Sequence, residues 1–339
     1  MNNSFIINNI ILIHIILISF SFIIIFFKSE ISNYLKIIDY PDNNLKIHKL
    51  PTPRLGGIIL FFYILPSLLI HYKINHIGLK DLIVLIILSI TFFIVGLIDD
   101  RKLLSATYKS IILITLLLLI VPISNELIIE QINFRYLDLS INLKKAAIYF
   151  TIFSIFALYN AFNFTDGVNC VASSLGIFWI TFIFLKSDNY TNFYYQSILV
   201  SLIIIFYFNY INKFFLGNSG TSLLSIIISL ILIQEYKKNN IFCDEIFFIL
   251  FLPGIDMIRI SVQRIMSGNS PFLGDTNHIH HLMRILIKEK FNFLPYLLIA
   301  VTPILIYSFL IKNFYLVFAL SFAMYFLIYL FLNNLKKSN

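Results

Sequence analysis

The chain has 339 residues, of which 59% are hydrophobic and only 12% are charged. A soluble domain usually has about twice that charged fraction, and one core does not bury so much apolar surface, so the composition excludes a soluble protein. The net charge of +8 comes from basic residues scattered between apolar runs, where they set membrane orientation, and we therefore predict no nucleic-acid partner. Two cysteines, Cys170 and Cys243, give neither a disulfide framework nor a metal-binding spacing.

Apolar runs of the length of a membrane span recur along the whole chain. A helix of about 20 apolar residues crosses the hydrocarbon layer of a bilayer. Eleven runs approach that length: 5–27, 55–72, 82–98, 107–123, 145–163, 168–185, 194–211, 219–235, 241–262, 292–311 and 313–333. We predict an all-α polytopic membrane protein with about eleven transmembrane helices in a single integral-membrane domain, residues 1–339. The first run lacks a basic leader and a small-residue cleavage site, so we predict a helix rather than a signal peptide.

Lys and Arg residues in the loops predict the orientation of these helices. The larger share of the 25 Lys and Arg residues follows the odd-numbered runs or lies in the C-terminal tail. Cytoplasmic loops are enriched in basic residues, so this side is predicted to be cytoplasmic, with the N-terminus outside. The segments richest in polar residues and glycine fall on the same side: 39–57, 99–109, 160–170, 209–221 and 253–284. We infer one composite site built from cytoplasmic loops.

The first polar segment places Lys46, His48 and Arg54 before a pair of glycines at 56–57. Basic residues in this position can hold an anionic lipid head group or a diphosphate. They are equally typical of anchors that fix the orientation of a neighbouring helix. The segment by itself leaves both interpretations open.

Two adjacent carboxylates, Asp99 and Asp100, end the third apolar run. Such a pair at a membrane boundary is costly unless it is solvated, paired or bound to a cation. A Mg²⁺ site suits the pair, because Mg²⁺ takes one or two carboxylates together with substrate phosphates, and a general base is a related possibility. A solvated helix end paired with Arg101 is the alternative, and the two carboxylates alone favour neither.

The fifth run ends in three polar residues spaced by three, Asn160, Asn163 and Asp166. Residues at this spacing share one helix face, and polar groups at membrane depth do not face lipid. A cation, a pyrophosphate or a nucleotide base is the favoured partner. Hydrogen bonding between helices is the alternative, but Asp166 has no obvious basic partner nearby in the sequence.

Two further motifs follow. The stretch GNSGT at 217–221 begins the eighth run, where a helix N-terminus with close backbone approach can bind an anion or can simply be capped. The strongest local signal is a histidine loop, in which His278, His280 and His281 fall within four residues, with Arg264 upstream. Histidine binds metals and stabilises phosphate charge, and the clustering favours a functional role over a solvated loop.

Taken together, these segments resemble the polyprenyl-phosphate N-acetylhexosamine-1-phosphate transferase family. The matching stretches run in the family's order: DYPDNNLKIHKLPTPRLGG at 39–57, GLIDDRKLLS at 96–105, YNAFNFTDG at 159–167, FLGNSGT at 215–221 and PGIDMIRISVQRIMSGNSPFLGDTNHIHH at 253–281. The resemblance implies an eleven-helix enzyme of the bacterial inner membrane with its active site facing the cytoplasm. Members of the family often form homodimers.

The resemblance also implies a reaction. Undecaprenyl phosphate would attack a UDP-N-acetylhexosamine, giving lipid-diphospho-sugar and UMP as the first membrane step of a cell-surface polysaccharide such as O-antigen or a teichoic-acid linkage. Mg²⁺, or Mn²⁺ in its place, would neutralise the diphosphate. The pattern His-Ile-His-His at 278–281 resembles the GlcNAc-type branch. The phospho-MurNAc-pentapeptide transferases of peptidoglycan synthesis more typically show three consecutive histidines.

By position, the resemblance implies roles for individual residues. The implied catalytic residues are Asp99, Asp100, Asp166 and His278, and the implied metal ligands are Asp99, Asp100, Asp166 and Asn218. The implied substrate-binding residues are Lys46, His48, Arg54, Lys109, Asn160, Asn163, Asn209, Arg264, His280 and His281. Asn218 stands where the family usually has an Asp ligand, and Asn169 stands where a second Asp is common. An amide oxygen ligates Mg²⁺ without charge, so we expect weaker metal binding.

Three rival hypotheses remain at this stage. A transferase of the peptidoglycan branch would accept a peptide-bearing sugar. A membrane transporter would place ionisable residues near the bilayer midplane, often with repeated halves, whereas here the acidic groups lie at helix ends and no repeat is visible. An inactive homologue would explain the replacement of expected carboxylates by Asn169 and Asn218.

Overall fold

The computed structural model describes residues 3–41, 50–75, 78–137, 139–187, 192–270, 277–287 and 289–338. Most of these residues are helical. The described α-helices are α1 (Asn3–Phe26), α2 (Lys28–Leu35), α3 (Gly56–Asn75), α4 (Leu79–Arg101), α5 (Ala106–Ile120), α6 (Ala147–Phe164), α7 (Val171–Lys186), α8 (Phe193–Tyr210), α9 (Gly217–Lys237), α10 (Cys243–Ile249), α11 (Phe251–Met266), α12 (Ile279–Leu282), α13 (Phe293–Leu305) and α14 (Phe314–Ser338). A π-helical turn, Ile306–Leu310, extends α13.

Two short antiparallel strand pairs accompany the helices. Strands β1 (Ile38–Asp39) and β2 (Thr52–Pro53) pair with Ile38 opposite Pro53. Strands β3 (Gln131–Asn133) and β4 (Ser140–Asn142) form a hairpin between α5 and α6. Short 3₁₀ turns are found at Val121–Ile123, Asn125–Leu127, Lys144–Ala146, Met283–Ile285 and Glu289–Phe291.

Within the described residues, eight helices are long and apolar enough to cross a membrane, or nine if α1 and α2, bent by 72°, form one span. The chain is therefore an all-α polytopic membrane protein, as the composition predicts. The predicted run 168–185 forms α7, which is only 16 residues long. The run 241–262 is divided at Leu250 into α10 and α11, because Pro253 has no N–H to continue the hydrogen-bond ladder of α10. The count of eleven spans and the orientation of the termini stay predictions.

Helix α9 is the centre of the bundle. In the most apolar 18-residue stretch of α9, 89% is buried inside the protein. The corresponding share is 22% for the spans that contain α5 and α14. A helix that is apolar on all sides is stable only when other helices cover every face. Two of its buried hydroxyls donate within the helix: Ser225 to the carbonyl of Ser222, and Ser229 to that of Ser225. This rigid central helix fixes the position of the segment at its N-terminus.

The strand pair β1–β2 ties the start of α3 to the N-terminus of α9. Arg54 N–H donates to the Ile37 carbonyl at 2.9 Å, and Phe215 N–H donates to the Pro53 carbonyl at 2.8 Å. Gly57 N–H then donates to the Leu216 carbonyl at 3.0 Å. The backbone bonds thus join three segments: the one that follows α2, the one at the start of α3 and the one that precedes α9.

A second group of polar contacts closes the opposite end of the bundle. Glu245 at the start of α10 accepts from Lys186 at 2.9 Å and from Arg135 at 3.2 Å. Its neighbour Asp244 is fully buried and accepts from the Arg135 backbone N–H and from the Tyr307 hydroxyl. These carboxylates anchor the β3–β4 hairpin and are separate from the site described next.

Candidate functional site

Helices α3, α4 and α9 meet at a junction where glycines allow backbone contact. A Cβ atom on Gly96 of α4 would lie 2.4 Å from the Asn218 carbonyl oxygen. A Cβ on Gly57 of α3 would lie 2.4 Å from the backbone nitrogen of Gly220. Gly217 has a φ of 76°, a left-handed conformation that favours glycine. The three helices approach this closely only because these positions have no side chain.

Asp100 at the end of α4 caps the N-terminus of α9. Its carboxylate accepts the backbone N–H groups of Asn218 at 2.8 Å and Ser219 at 2.9 Å, and the Ser219 hydroxyl at 2.7 Å. Arg54 Nη1 lies 3.4 Å from the same carboxylate. The group is buried, and a helix N-terminus and a guanidinium together stabilise its negative charge. In this arrangement both oxygens of Asp100 are occupied by protein donors.

Arg54 is held by a residue that the sequence did not single out. Its Nη2 lies 2.6 Å from Asp39 Oδ1, and Asp39 is buried beside the site. The pairing of β1 with β2 places the two side chains together. The only available signal in the sequence was the position of Asp39 at the start of the stretch DYPDNN, whose link to Arg54 depends on strand pairing.

Asp99 is paired with Lys109 rather than with its sequence neighbour. Lys109 Nζ lies 2.8 Å from Asp99 Oδ2, and the Leu104 backbone N–H donates to Oδ1 at 2.8 Å. The Lys109 ammonium also lies 5.9 Å from the centre of the Tyr159 ring. Arg101, the partner in the alternative interpretation, is exposed. The two carboxylates of the pair therefore have separate protein partners.

A cavity of about 260 Å³ lies next to this junction. It is lined by Leu104, Ala106, Lys109, Ser110, Asn160, Asn163, Phe164, Asp166, Gly167, Arg264, His278 and His281. The structure thus brings together seven of the predicted site residues from α5, from the end of α6, from α11 and from the histidine loop. Other predicted residues lie outside this lining: Arg54, Asp99, Asp100, Asn209, Asn218 and His280. Lys46 and His48 lie outside the described residues.

Asp166 stands in the wall of the cavity, beyond the end of α6. Surrounding protein raises the pKa of Asp166 well above its usual range, and the nearby carboxylate of Asp100 raises it further. The charge of Arg54 opposes this effect, and that of Asp39 adds to it. A carboxyl group in this position is stabilised by a proton or by a cation that enters the cavity.

The histidine loop is fixed by a second residue that sequence analysis missed. Asp256 of α11 accepts from His278 Nδ1 at 2.9 Å and from Arg259 Nη2 at 2.7 Å. Each oxygen of this buried carboxylate thus has a positively charged or hydrogen-bonding partner. A usable signal was present, because an acidic residue within an apolar run indicates a functional or paired group.

His280 lies behind the cavity wall and not in it. It is only 1% exposed, and its ring centre is 5.4 Å from that of His278 and 4.5 Å from that of His281. Burial, with the two neighbouring imidazoles, lowers the pKa of His280 well below its usual value, so this ring is neutral. A Cβ on Gly167 would lie 2.3 Å from His281 Nε2, so the glycine allows the loop to pack on the end of α6.

The predicted asparagines have different environments. Asn209 is buried, accepts a hydrogen bond from the Cys170 backbone N–H and donates one to the Phe214 carbonyl at 3.2 Å. It thus links the segment before α7 to the segment before α9. Asn163 accepts from the Thr221 hydroxyl at 3.3 Å, and Asn160 donates to the Phe156 carbonyl at 2.9 Å. Asn218 is half-buried at the start of α9. Its contribution to a substrate or metal site stays a prediction.

The donor set fits a loosely held Mg²⁺ better than a metal enclosed by protein. Across the described parts of the chain, no three His, Cys, Asp or Glu side chains are arranged as a metal centre. Asp99 and Asp100 direct their oxygens to protein donors, whereas Asp166 lines the cavity beside another negative charge. Mg²⁺ is commonly bound by one or two carboxylates, with water and substrate phosphates completing its octahedron. Asp166 is the residue best placed to supply such a carboxylate.

Comparison with known proteins gives one matching family model. The model described as glycosyl transferase family 4 matches residues 82–235. This range contains the paired carboxylates at 99–100, the polar end of α6 and the N-terminus of α9. Arg54 and the histidine loop lie outside it.

Curated relatives cover most of the chain. The undecaprenyl-phosphate alpha-N-acetylglucosaminyl 1-phosphate transferase of Salmonella typhi is 27% identical over 277 residues, covering 78% of this chain and 73% of the relative. A probable undecaprenyl-phosphate N-acetylglucosaminyl 1-phosphate transferase of Bacillus subtilis is 26% identical over 271 residues, with 78% and 74% covered. The decaprenyl-phosphate N-acetylglucosaminephosphotransferase of Mycobacterium leprae is 23% identical over 282 residues, with 74% and 71% covered.

Proposed function

We propose that the chain is a member of glycosyl transferase family 4 and that it transfers an N-acetylhexosamine 1-phosphate from a UDP-sugar to undecaprenyl phosphate. The products would be a lipid-diphospho-sugar and UMP. The observation that supports this most is the cavity in which Asp166, Arg264, His278 and His281 converge at one end of a membrane bundle. Cationic and hydrogen-bonding groups around one carboxylate suit a diphosphate with its counter-ion.

In the proposed reaction, a phosphate oxygen of the lipid attacks the β-phosphorus of the UDP-sugar, and the bond from that phosphorus to the oxygen bridging to the α-phosphate breaks. UMP leaves with the electron pair of that bond. Mg²⁺, held by Asp166 together with the substrate phosphates, would supply charge neutralisation at the diphosphate. Arg264 and His281 would donate hydrogen bonds to phosphate oxygens. Lys109 of α5 lines the same cavity and would contribute its positive charge. Asp100 would orient Arg54 and the N-terminus of α9.

We also propose that the site faces the cytoplasm of the bacterial inner membrane, because a water-soluble nucleotide sugar must meet the lipid head group there. The basic loops on the same side support this orientation. The same proposal includes a single domain over residues 1–339 with about eleven membrane spans. It also includes the place of the reaction as the first membrane step in making a surface polysaccharide. The similarity to GlcNAc-phosphate transferases supports UDP-GlcNAc as the first donor to test.

The direct test is UMP release by purified protein supplied with undecaprenyl phosphate, Mg²⁺ and a panel of UDP-N-acetylhexosamines. We expect release that requires both lipid and cation, with UDP-GlcNAc or a close relative as the best donor. Preference for UDP-MurNAc-pentapeptide would assign the chain to the peptidoglycan branch instead. Folded protein that releases no UMP with any donor would favour the inactive homologue, and transport without turnover would favour a carrier.

Asn218→Asp is expected to lower the Mg²⁺ concentration required for half-maximal rate several-fold. A carboxylate at the start of α9, next to Asp100, adds charge to a site that already attracts a cation, and charged ligands raise affinity for hard divalent ions. The measurement is a Mg²⁺ titration of UMP release at constant ionic strength. Asn142→Asp, which adds the same charge at an exposed position of the β3–β4 hairpin, is the matched control. An unchanged Mg²⁺ requirement in Asn218→Asp would place position 218 away from the cation.

A further inference from the structure

Asp256 connects the histidine loop to two helices through both of its carboxylate oxygens. Oδ2 accepts from His278 Nδ1 at 2.9 Å and from the Ile279 backbone N–H at 3.3 Å. Oδ1 accepts from Arg259 Nη2 at 2.7 Å and from the Tyr325 hydroxyl at 2.8 Å. The residue is only 3% exposed and does not line the cavity. Any effect on a substrate therefore passes through the groups that it holds.

This geometry determines the protonation pattern of His278. An ionised carboxylate only accepts hydrogen bonds, so the bond at Nδ1 requires the hydrogen to be on Nδ1. The remaining ring nitrogen, Nε2, is then the one that His278 offers to the cavity it lines. In the neutral ring, Nε2 has a free electron pair, and in the charged ring the carboxylate stabilises the imidazolium.

The C-terminal helix α14 makes the orientation rigid. The Arg259 guanidinium lies 4.2 Å from the centre of the Tyr329 ring, and its Nη2 also donates to the Asn277 carbonyl at 2.8 Å. Lys336 Nζ donates to Asn277 Oδ1 at 2.7 Å. The residue immediately before His278 is thus held from two helices. Such fixed partners keep a functional side chain in one rotamer.

We infer that Asp256 is a positioning residue for the transfer reaction, holding His278 in the tautomer that presents Nε2 to the substrate phosphates. The inference rests on the proposed function. In that role His278 donates a hydrogen bond to, or accepts a proton from, a phosphate oxygen without changing its orientation. The titratable or charged groups around His278 that enter its pH dependence are Asp256, Arg259, Arg264, Asp166, His280, His281 and Tyr325.

Asp256→Asn is the decisive variant. The Asn oxygen can still accept from Arg259 and Tyr325, which turns the NH₂ group toward His278 and forces the ring hydrogen from Nδ1 to Nε2. We expect kcat to fall about 10- to 100-fold with little change in KM, as for other residues that orient a functional imidazole. The pH dependence of the rate, measured for both proteins, is expected to differ between the variant and wild type. Nitrogen-15 NMR of histidine-labelled protein in lipid, assigned with His278→Gln, reports the tautomer directly.

Two further variants separate positioning from folding. Asp256→Glu keeps the carboxylate and should restore the Nδ1–H tautomer and part of the rate. Asp244→Asn removes a comparably buried carboxylate at the other end of the bundle, and its His278 signal and pH profile should match those of wild type. A neutral wild-type His278 whose only ring hydrogen is on Nε2 overturns the inference even if Asp256→Asn does not fold.

The outcomes also distinguish the inference from the proposed function. If wild-type protein transfers no sugar phosphate with any donor, the proposed function fails, while the NMR tautomer still decides what Asp256 does to His278. If wild type is active and Asp256→Asn retains its rate and pH profile, the positioning role fails and the proposed function stands.

Discussion

Asp166→Asn is expected to reduce UMP release by at least about a thousandfold, because charge stabilisation by a bound cation is worth several kcal/mol and each ~1.4 kcal/mol changes a rate tenfold. Asp166 is the one member of the predicted carboxylate set that lines the cavity, whereas Asp99 and Asp100 bond to protein donors. An amide in this position keeps the size of the side chain but loses its charge. The measurement is the initial rate of UMP release at saturating lipid and donor over a range of Mg²⁺ concentrations.

We expect the Asp166→Asn protein to fold. Because Asp166 lies near the carboxylates of Asp100 and Asp39, removing its charge relieves repulsion, and the thermal midpoint without Mg²⁺ should not fall. Asp81→Asn is the matched control, because Asp81 accepts a hydrogen bond from Ser124 at the opposite end of α4. The Asp81→Asn protein should retain wild-type activity. Activity of Asp166→Asn within tenfold of wild type would remove Asp166 from the site.

Gly96→Ala is expected to lower the thermal midpoint and to abolish transfer. Its Cβ would lie 2.4 Å from the Asn218 carbonyl oxygen and 2.6 Å from Ser219 Cα, and backbone atoms cannot rotate away as a side chain can. Overpacking of a tight contact costs about 1–3 kcal/mol or more, which exceeds the ~0.5–1 kcal/mol that alanine usually gains over glycine within a helix. Separation of α4 from α9 would also break the bonds from Asn218 and Ser219 to Asp100.

Gly254→Ala is the control for this prediction. Gly254 also lies within a helix, but a Cβ there meets nothing within 4 Å. That variant should have an unchanged or slightly raised midpoint and normal activity, measured by thermal unfolding in detergent and by UMP release. A Gly96→Ala protein as stable and active as Gly254→Ala would show that α4 and α9 are not in tight contact at this point.

The sequence determined the class of protein and supplied the hypothesis for the residues of the site. Hydropathy depends on residue type within about 20 neighbouring positions, so runs such as 82–98 and 219–235 predicted helices that the structure confirms. Asp166, Arg264, His278 and His281 line one cavity, and their roles in a composite site stay a prediction. Each belongs to a polar segment that no lipid-facing helix would tolerate.

Local properties also explain where the sequence was insufficient. The apolar run 241–262 predicted one helix, and the structure divides it at Leu250, because hydropathy does not register the missing N–H of Pro253. His280 and His281 are adjacent in sequence, yet one is enclosed behind the cavity and the other lines it. Which side of a short helix faces the cavity is a property of packing.

The distant partners of these carboxylates were decided by the tertiary structure. Asp100 bonds to Asn218, a residue 118 positions away, and Asp256 bonds to Tyr325, 69 positions away. Asp39 and Asp256 were missed because the residues that make them important, Arg54 and His278, approach only when strands pair and helices pack. Sequence patterns indicate whether each segment is in contact with lipid or with water. They do not record which distant donor reaches a buried oxygen, since that depends on the three-dimensional path of the whole chain.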